Sequence, residues 1–283
     1  MANVKSTIMQ DTGKYRTNIK DQFYTNIDVA KYCIGIILSL LPATKQYVWV
    51  EPSAGNGVFL HNLPNHIKKI GLDIDPKAKD IQQQDYLEWE PPTGRPIIVF
   101  GNPPFGRQSS LAKAFISKSC TFADVIAFIL PKSFIKPSMN NAFDRKFHLL
   151  QSIELNKNSF VINDEPYDVP CVFQIWQKKD VDREIEQKVS PEGFQYVKPS
   201  EEYDMVFRRV GGLAGKCYKQ DGTIFSPQSH YFIHLNDDIV PFIDTIIEHV
   251  NAHIFPSNTL GPRSLSKSEA NIVLNRIIED VSS

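Results

Sequence analysis

Cysteine and long apolar runs are both scarce in this sequence, and their scarcity argues against several classes of protein. The 283 residues include four cysteines, none in a CxxC pair, so neither a disulfide framework nor a metal site is expected. The apolar run at 33–41 is too short for a transmembrane helix, which needs about 20 residues. Residues 1–20 lack the apolar core of a signal peptide and are expected to be flexible. We therefore expect a cytoplasmic, nucleoid or nuclear protein, neither secreted nor in a membrane.

An excess of charge of either sign is also missing. Lys and Arg number 31, Asp and Glu number 32, and the formal net charge is −1. This balance excludes a polycation that binds nucleic acid through its overall charge, so any such contact must come from a local basic patch. The hydrophobic content of 42% is that of an ordinary globular protein.

Strand-like and helix-like segments alternate along the first two thirds of the chain. Apolar residues in 27–41 recur with helical spacing, whereas short apolar runs elsewhere indicate strands. The predicted strands are 47–50, 69–72, 97–100, 125–130, 150–155 and 169–176, and further helices are predicted at 111–122 and 140–147. This alternation predicts an α/β fold with a mostly parallel sheet covered by helices on both faces. Ligands of such sheets bind at the carboxyl ends of the strands.

The composition changes after residue 178. Residues 179–195 are rich in charge and indicate a surface linker. The linker separates a first domain at 21–178 from a small α+β unit at 196–283, for which a strand at 229–235 and a helix at 240–250 are predicted.

Acidic residues follow several of the predicted strands. The segment EPSAGNG at 51–57 has glycines that permit a sharp turn, but it is neither GxGxxG nor a P-loop. Glu51 would repel a phosphate and suits a cationic ligand. Asp73 is placed to accept hydrogen bonds from a ribose diol, and Asp85 to contact an adenine amino group. An adenosine ligand with a positive centre and no phosphate is S-adenosylmethionine, which we predict as the cofactor.

The segment GNPPFG at 101–106 contains the candidate catalytic residues. The Asn102 side-chain oxygen and the Pro103 carbonyl can accept the two hydrogens of an exocyclic amine and so aim its lone pair at a methyl donor. Pro103 and Pro104 rigidify the loop because proline fixes φ. Phe105 offers a flat face on which a base can stack. The segment therefore predicts methyl transfer to an amino nitrogen.

The order EPSAGNG, GLDID, NPPF resembles the N6-adenine-specific DNA methyltransferases, specifically their gamma group, in which the cofactor motif comes first and the target-recognition region last. The resemblance covers about 21–177 and includes DQFYT at 21–25, which is similar to the leading cofactor motif of that group. It implies a Rossmann-like class I methyltransferase sheet. The cofactor-binding residues that the motifs and the resemblance together indicate are Tyr24, Thr25, Glu51, Pro52, Ser53, Ala54, Gly55, Gly57, Asp73, Ile74, Asp85, Tyr86 and Asn102.

A base inside a duplex must be flipped out to reach such a site. The resemblance implies a second aromatic ring opposite Phe105, for which Phe160 is favoured over Tyr167. Lys132 is a candidate contact to the substrate backbone or a solvated surface residue.

The second unit holds the best candidate patch for nucleic acid. Segment 207–219 has four basic residues, three glycines and no acid, which suits phosphate contacts through Arg208, Arg209 and Lys216. Ser266 and Glu269 form the capping-box pattern S-x-x-E, which predicts a helix start. Two further cations near that start, Arg263 and Lys267, could also hold a phosphate.

Several alternatives stay open. The NPPF tetrapeptide is similar to those of enzymes that modify RNA and of a glutamine-amide protein methyltransferase, so the DNA substrate is favoured but RNA is a rival. A methyltransferase-like subunit without catalysis is a further alternative. The sequence leaves open whether the chain is a monomer or a dimer and whether it has a partner subunit.

Overall fold

The computed structural model describes residues 24–41, 44–162, 165–184, 189–256 and 263–283. The expectations for residues 1–20 and for the first three residues of DQFYT lie outside this range. The chain divides into two compact units between Glu184 and Ile185, a division that falls inside the predicted linker at 179–195.

The first unit is built on a sheet of seven described strands. They are β2 (Val48–Glu51), β3 (Lys68–Asp73), β4 (Gln82–Gln83), β5 (Ile97–Gly101), β6 (Val125–Pro131), β7 (Phe147–Glu154) and β10 (Cys171–Lys178), in the spatial order β4-β3-β2-β5-β6-β10-β7. The first five of these are parallel, and β10 runs antiparallel to both of its neighbours. The predicted α/β class and mostly parallel Rossmann-like sheet are therefore confirmed.

Three short strands form a separate antiparallel sheet in the same unit. They are β1 (Tyr24–Thr25), β8 (Phe160–Ile162) and β9 (Glu165–Tyr167), with β8 in the middle. The register pairs Thr25 with Phe160 and Phe160 with Tyr167. Phe160 therefore lies directly opposite Thr25 of the leading cofactor motif, and Tyr167 lies one strand farther from it.

The α-helices among the described residues of this unit are α1 (Ile27–Leu40) and α2 (Ser110–Cys120). Asn26 caps α1 by accepting a hydrogen bond from Asp28 N. Ala112, Phe115 and Ile116 of α2 pack with Val50 and Val99 in one buried cluster. The adjacent residues Trp49 and Phe100 point to the opposite face of the sheet. Their rings meet edge-on there, with centres 5.2 Å apart. Strands buried on both faces explain the continuous apolar runs in the sequence.

The predicted helix at 140–147 is wrong. A 3₁₀ helix spans Pro137–Ala142, and β7 begins at Phe147. Asp144 Oδ1 accepts a hydrogen bond from Lys146 N at 2.9 Å and thereby makes a local turn. Asn140, Asn141 and Asp144 favour such turns because their side chains compete with helical hydrogen bonds.

Arg183 folds back from the charged segment onto the first unit. Its guanidinium donates to the carbonyls of Asn140, Phe143, Asp144 and Phe147 over 2.5–2.9 Å and lies 5.5 Å from the centre of the Trp176 ring. The start of the predicted linker is thus an integral part of the first unit, which composition alone did not indicate.

The second unit is an antiparallel sheet with two helices, an α+β arrangement as predicted. Its strands β11 (Phe194–Val197), β12 (Met205–Arg208), β13 (Cys217–Lys219) and β14 (His230–Leu235) lie in the order β11-β14-β12-β13. Its helices are α3 (Ile243–Ala252) and α4 (Lys267–Ser282). The predicted capping box of Ser266 and Glu269 at the start of α4 is confirmed. Across the described ranges, no helix has the length and apolar character needed to cross a membrane.

Candidate functional site

A cavity of about 420 Å³ opens at the carboxyl ends of β2, β3 and β5. This edge is where ligands bind in sheets of parallel strands. Segments 51–56, 73–75, 85–87 and 102–105, each following one strand, line most of it, and β1 and α2 complete the wall. The volume lies in the range of small-molecule sites.

Main-chain and side-chain hydrogen bonds fix the glycine loop that follows β2. Gly55 and Gly57 adopt positive φ angles of 52° and 80°, which glycine accepts without strain. Gly55 N donates to Asp73 Oδ2 at 2.7 Å, and Ala54 N donates to Leu72 O at 2.8 Å. A Cβ on Gly55 would lie 3.2 Å from the Tyr24 ring, so this ring of β1 packs closely against the loop.

Glu51 is 2% exposed, yet it is one of the residues that line the cavity. Its Oε2 accepts a hydrogen bond from Leu60 N at 2.9 Å. Burial, with a smaller contribution from the negative charge of Asp73, raises the pKa of the Glu51 carboxyl well above its ordinary value. Burial therefore opposes the negative charge that the expected cationic ligand would meet at Glu51, and a positive centre beside the carboxyl would favour that charge.

Asp73 and Asp85 hold their own loops as well as facing the cavity. The Asp73 carboxylate accepts from Gly55 N and, at 2.8 Å, from Asp75 N. Asp85 lies two residues beyond β4, and its Oδ1 accepts from Leu87 N at 2.9 Å. Each carboxylate oxygen can accept more than one hydrogen bond, so both side chains retain acceptor capacity for a ligand.

The NPPF segment lies beside the glycine loop. Ser53 Oγ donates to the main-chain oxygen of Asn102 at 2.9 Å and ties the two segments together. Gly101 has a φ of +119°, and a Cβ there would lie 3.2 Å from Glu51 Cγ, so glycine leaves room for the buried carboxyl. Asn102, Pro103, Pro104 and Phe105 all line the cavity.

The backbone between Phe105 and α2 is unusual. Gly106, Gln108 and Ser109 have positive φ angles of 68°, 52° and 61°. Such left-handed conformations outside glycine cost free energy and cluster at functional sites. A Cβ on Gly106 would lie 2.9 Å from Leu111 N, so this turn requires glycine.

Twelve of the thirteen predicted cofactor residues line the cavity, and Gly57 does not. Gly57 instead lies against His61, whose ring would overlap a Cβ at that position. The lining residues that sequence reasoning missed are Asn56, Val58, Phe59, Asp75, Leu87, Leu111 and Phe115. Most lie within four residues of a predicted position, and the apolar Leu111 is 41% exposed. Their closeness in sequence to the motifs is the feature from which they could have been predicted.

The candidates for a second aromatic ring differ in exposure. Phe160, the favoured one, is fully buried in the centre of its sheet and presents no face to a base. Tyr167, its cross-strand partner, is half-buried. Lys132 donates to Glu154 Oε2 at 2.6 Å, which occupies its ammonium group.

The predicted basic residues of the second unit are held by main-chain carbonyls. Arg208 Nε donates to Val210 O at 3.3 Å, and Arg209 donates through Nε and Nη2 to Gln228 O at 3.2 and 3.0 Å. Lys216 Nζ donates to Asn251 O, at the end of α3. Lys216 is thus engaged within the unit, which weakens its candidacy as a phosphate contact.

Comparisons with solved structures return methyltransferases of similar fold. A candidate RNA methyltransferase from Pyrococcus horikoshii is 19% identical, with a TM-score of 0.46, over 56% of this chain and 87% of that chain. A candidate class I S-adenosylmethionine-dependent methyltransferase from Listeria monocytogenes is 15% identical, with a TM-score of 0.44, over 59% and 64%. A modification subunit of a candidate type I restriction enzyme from Vibrio vulnificus is 12% identical, with a TM-score of 0.43, over 87% and 56%.

No protein-family model matches the sequence, and the comparison with curated proteins finds no match. The TM-scores of all three structures lie below 0.5.

Proposed function

We propose that this chain transfers the methyl group of S-adenosylmethionine to the N6 amino nitrogen of an adenine flipped out of DNA. The observation that carries the proposal is the hydrogen bond from Ser53 Oγ to Asn102 O, which holds the glycine loop and the NPPF segment side by side at one cavity. Group transfer requires adjacent donor and acceptor sites, and positioning supplies much of the acceleration.

The chemistry of the glycine-loop side fits S-adenosylmethionine. Asp73 and Asp85 have acceptor capacity for the ribose hydroxyls and the adenine amino group, and Ile74, 70% exposed, offers an apolar surface to the purine. Three carboxyl groups, including that of Glu51, suit a ligand with a positive centre and disfavour a phosphate. When bound, S-adenosylmethionine supplies the methyl group and the sulfonium from which it leaves.

The acceptor side is provided by Asn102 to Phe105. The Asn102 side-chain oxygen and the Pro103 carbonyl accept the two hydrogens of the amine, which concentrates its lone pair on the nitrogen. Once the nitrogen holds the methyl group, one of these hydrogens leaves as a proton to solvent. Phe105 is only 3% exposed but, unlike Phe160, lines the cavity, and it stacks on one face of the base, worth about 1–3 kcal/mol. Because Tyr167 is half-buried and Phe160 is fully buried, Tyr167 replaces Phe160 as our candidate for the ring on the opposite face of the base.

The aromatic residues favour a nucleobase over a glutamine side chain as the acceptor. The motif order, with the cofactor motif first and a separate unit last, resembles DNA enzymes of the gamma group and favours DNA over RNA. A paired adenine has its amino group inside the helix stack, so the reaction requires an extruded base.

The test is transfer of radiolabelled methyl groups from S-adenosylmethionine to unmethylated double-stranded DNA, single-stranded DNA and total RNA in parallel. Each product is digested to nucleosides and separated. The proposal predicts label in N6-methyldeoxyadenosine, with double-stranded DNA as an accepted substrate.

Two outcomes would contradict the proposal at different levels. Label in RNA alone would keep the chemistry of the NPPF segment and overturn the DNA assignment. No label in any polymer, with S-adenosylmethionine still bound in calorimetry, would overturn the nucleic-acid substrate and favour a protein acceptor or a non-catalytic subunit.

A further inference from the structure

Two segments far apart in the sequence meet at one edge of the second unit. Val210 and Ser264 form an isolated antiparallel bridge, Leu265 N donates to Arg209 O at 2.8 Å, and Gly211 N donates to Arg263 O at 2.9 Å. The bridge brings the end of β12 beside the start of α4. Basic residues separated by more than 50 positions in the sequence therefore share this edge.

Two of these cations are fixed around one tyrosine. The Arg209 guanidinium carbon lies 5.5 Å from the centre of the Tyr231 ring, and Lys267 Nζ lies 5.8 Å from the same centre. Lys267 Nζ also lies 4.2 Å over the Tyr196 ring. We call Arg209, Lys267, Tyr231 and Tyr196 the Tyr231 cluster.

The rings are themselves held in place. Tyr196 Oη donates to Asn271 Oδ1 at 2.7 Å, and Tyr231 Oη donates to Leu265 O at 3.1 Å. With Arg209 also bonded to Gln228 O, the charged groups have lost much of their conformational freedom before any partner arrives. Groups ordered in advance bind with a smaller entropic cost.

The positive charge is local and unneutralised within the described part of the unit. Residues 185–283 contain nine Lys and Arg against thirteen Asp and Glu, so the unit as a whole is acidic. Arg209, Arg263 and Lys267 form no ion pair there, whereas Lys219 pairs with Asp244 at 2.9 Å. Glu269, two residues after Lys267, is bonded to Ser266 in the capping box. A fixed positive patch on an acidic unit attracts an anion to one place and repels it elsewhere.

We propose that the Tyr231 cluster, with Arg263, is a phosphate-contact surface for the backbone of nucleic acid. The assignment deepens the proposed function and rests on it for the choice of partner. The surface joins two groups of cations that the sequence predicted separately, one in segment 207–219 and one near the start of α4, and it omits Lys216. Its contacts are to phosphates, so they position the polymer without reading its sequence. Gly211 and Gly212, with no side chain at the bridge, let a backbone approach closely.

The test is fluorescence anisotropy of a labelled 20-base-pair DNA duplex against salt concentration, without S-adenosylmethionine. The double variant Arg209→Gln/Lys267→Gln should bind at least about tenfold more weakly at low salt. Its plot of log affinity against log salt should be shallower by about 1–2, since each phosphate contact contributes about 0.9. The matched control Lys219→Gln removes an equal type of charge from the same sheet but one paired with Asp244, and it should bind like the wild type.

The salt dependence and the control variant together decide whether this surface contacts phosphates. An unchanged salt slope in the double variant, or an equal loss in Lys219→Gln, would overturn the proposal. Lys267→Gln alone, at an exposed first helical position, covers the case in which the double variant does not fold, and Lys267→Arg should restore binding. Because no methyl transfer is involved, a failure of the proposed reaction leaves this result interpretable.

Discussion

The side chain of Asn102 is the one on which the proposed chemistry depends most directly. Asn102→Ala removes the acceptor that orients the amine but leaves the carboxyl groups on the glycine-loop side untouched. We expect methyl transfer to fall by at least about 100-fold, the usual consequence of losing precise positioning, while the Kd for S-adenosylmethionine in calorimetry changes little. Asn62→Ala is the control, since Asn62 donates locally to Val58 O and does not line the cavity. Comparable turnover in Asn102→Ala would remove the mechanism.

Glu51 gives a prediction on stability rather than rate. Its pKa in the folded protein is raised by burial, so the folded state binds a proton that the unfolded state releases as pH rises above the ordinary pKa of glutamate. Stability conferred by the neutral form is therefore present at low pH. It is lost as pH rises from the ordinary pKa of glutamate toward the raised pKa of the folded state, by at most about 1.4 kcal/mol per pH unit.

Glu51→Gln keeps the acceptor for Leu60 N without the titration. Urea unfolding from pH 5 to 8 should show the variant gaining stability relative to the wild type as pH rises. Parallel pH profiles of the two proteins would mean that the Glu51 carboxyl titrates as if it were exposed to solvent.

Residue types at strand ends were readable from the sequence, but their environments were not. The motifs placed Glu51, Asp73 and Asn102 at one edge of a sheet, and all three line the cavity. Burial of Glu51 and of Phe160 arises from packing by residues distant in the sequence, such as Leu60 and the strand pairing of β1 with β8. No local pattern encodes such contacts.

Among the elements, the turn between Phe105 and α2 offers a matched pair of glycines. Gly106 and Gly94 both have positive φ, 68° and 83°, but only at Gly106 would a Cβ meet neighbouring atoms, Leu111 N at 2.9 Å and Leu111 Cγ at 2.8 Å. Both Gly→Ala variants carry the cost of placing an alanine at positive φ, about 1–3 kcal/mol. Only Gly106→Ala should also displace the NPPF segment and lower transfer, by about 100-fold. Equal activities in the two variants would contradict a positioning role for this turn.

The Arg183 side chain joins the segment between Asn140 and Phe147 to Trp176 of β10. Arg183→Ala loses its hydrogen bonds to four carbonyls and its contact with Trp176, and we expect a loss of about 2–4 kcal/mol. The control Arg145→Ala breaks an exposed 3.5 Å ion pair with Asp182 and should cost less than about 1 kcal/mol. Urea unfolding followed by tryptophan fluorescence tests the first unit alone, because all three tryptophans precede residue 185. Equal losses in the two variants would reject this role.

Elements with clear periodicity were predicted within a few residues, including α1, β2, β5 and β6. The segment at 140–147 was not, because its Asn and Asp side chains favour turns over a helix. The three-stranded sheet of β1, β8 and β9 was also missed as a sheet, since strands of two or three residues carry almost no pattern.

At the scale of the whole molecule, a net charge of −1 conceals two units of opposite sign. The residues up to Glu184 carry 22 Lys and Arg against 19 Asp and Glu, whereas acidic residues outnumber basic ones in the second unit. The sequence indicated two groups of cations, in segment 207–219 and near the start of α4, but not that they lie together, because the bridge between Val210 and Ser264 is a tertiary contact.

If the two units perform catalysis and polymer binding separately, a variant of the binding surface should change KM and not kcat. If the first unit performs the chemistry and the Tyr231 cluster holds the polymer, Arg209→Gln/Lys267→Gln should raise the KM for a long DNA duplex by about tenfold and leave kcat unchanged. The KM for an oligonucleotide of a few residues should change much less, since so short a chain has few phosphates to contact. Steady-state methyl transfer with both substrates measures this, with Lys219→Gln as the control. A fall in kcat with an unchanged KM would instead place the cluster's influence on the chemical step, and the separation of binding from catalysis would be rejected.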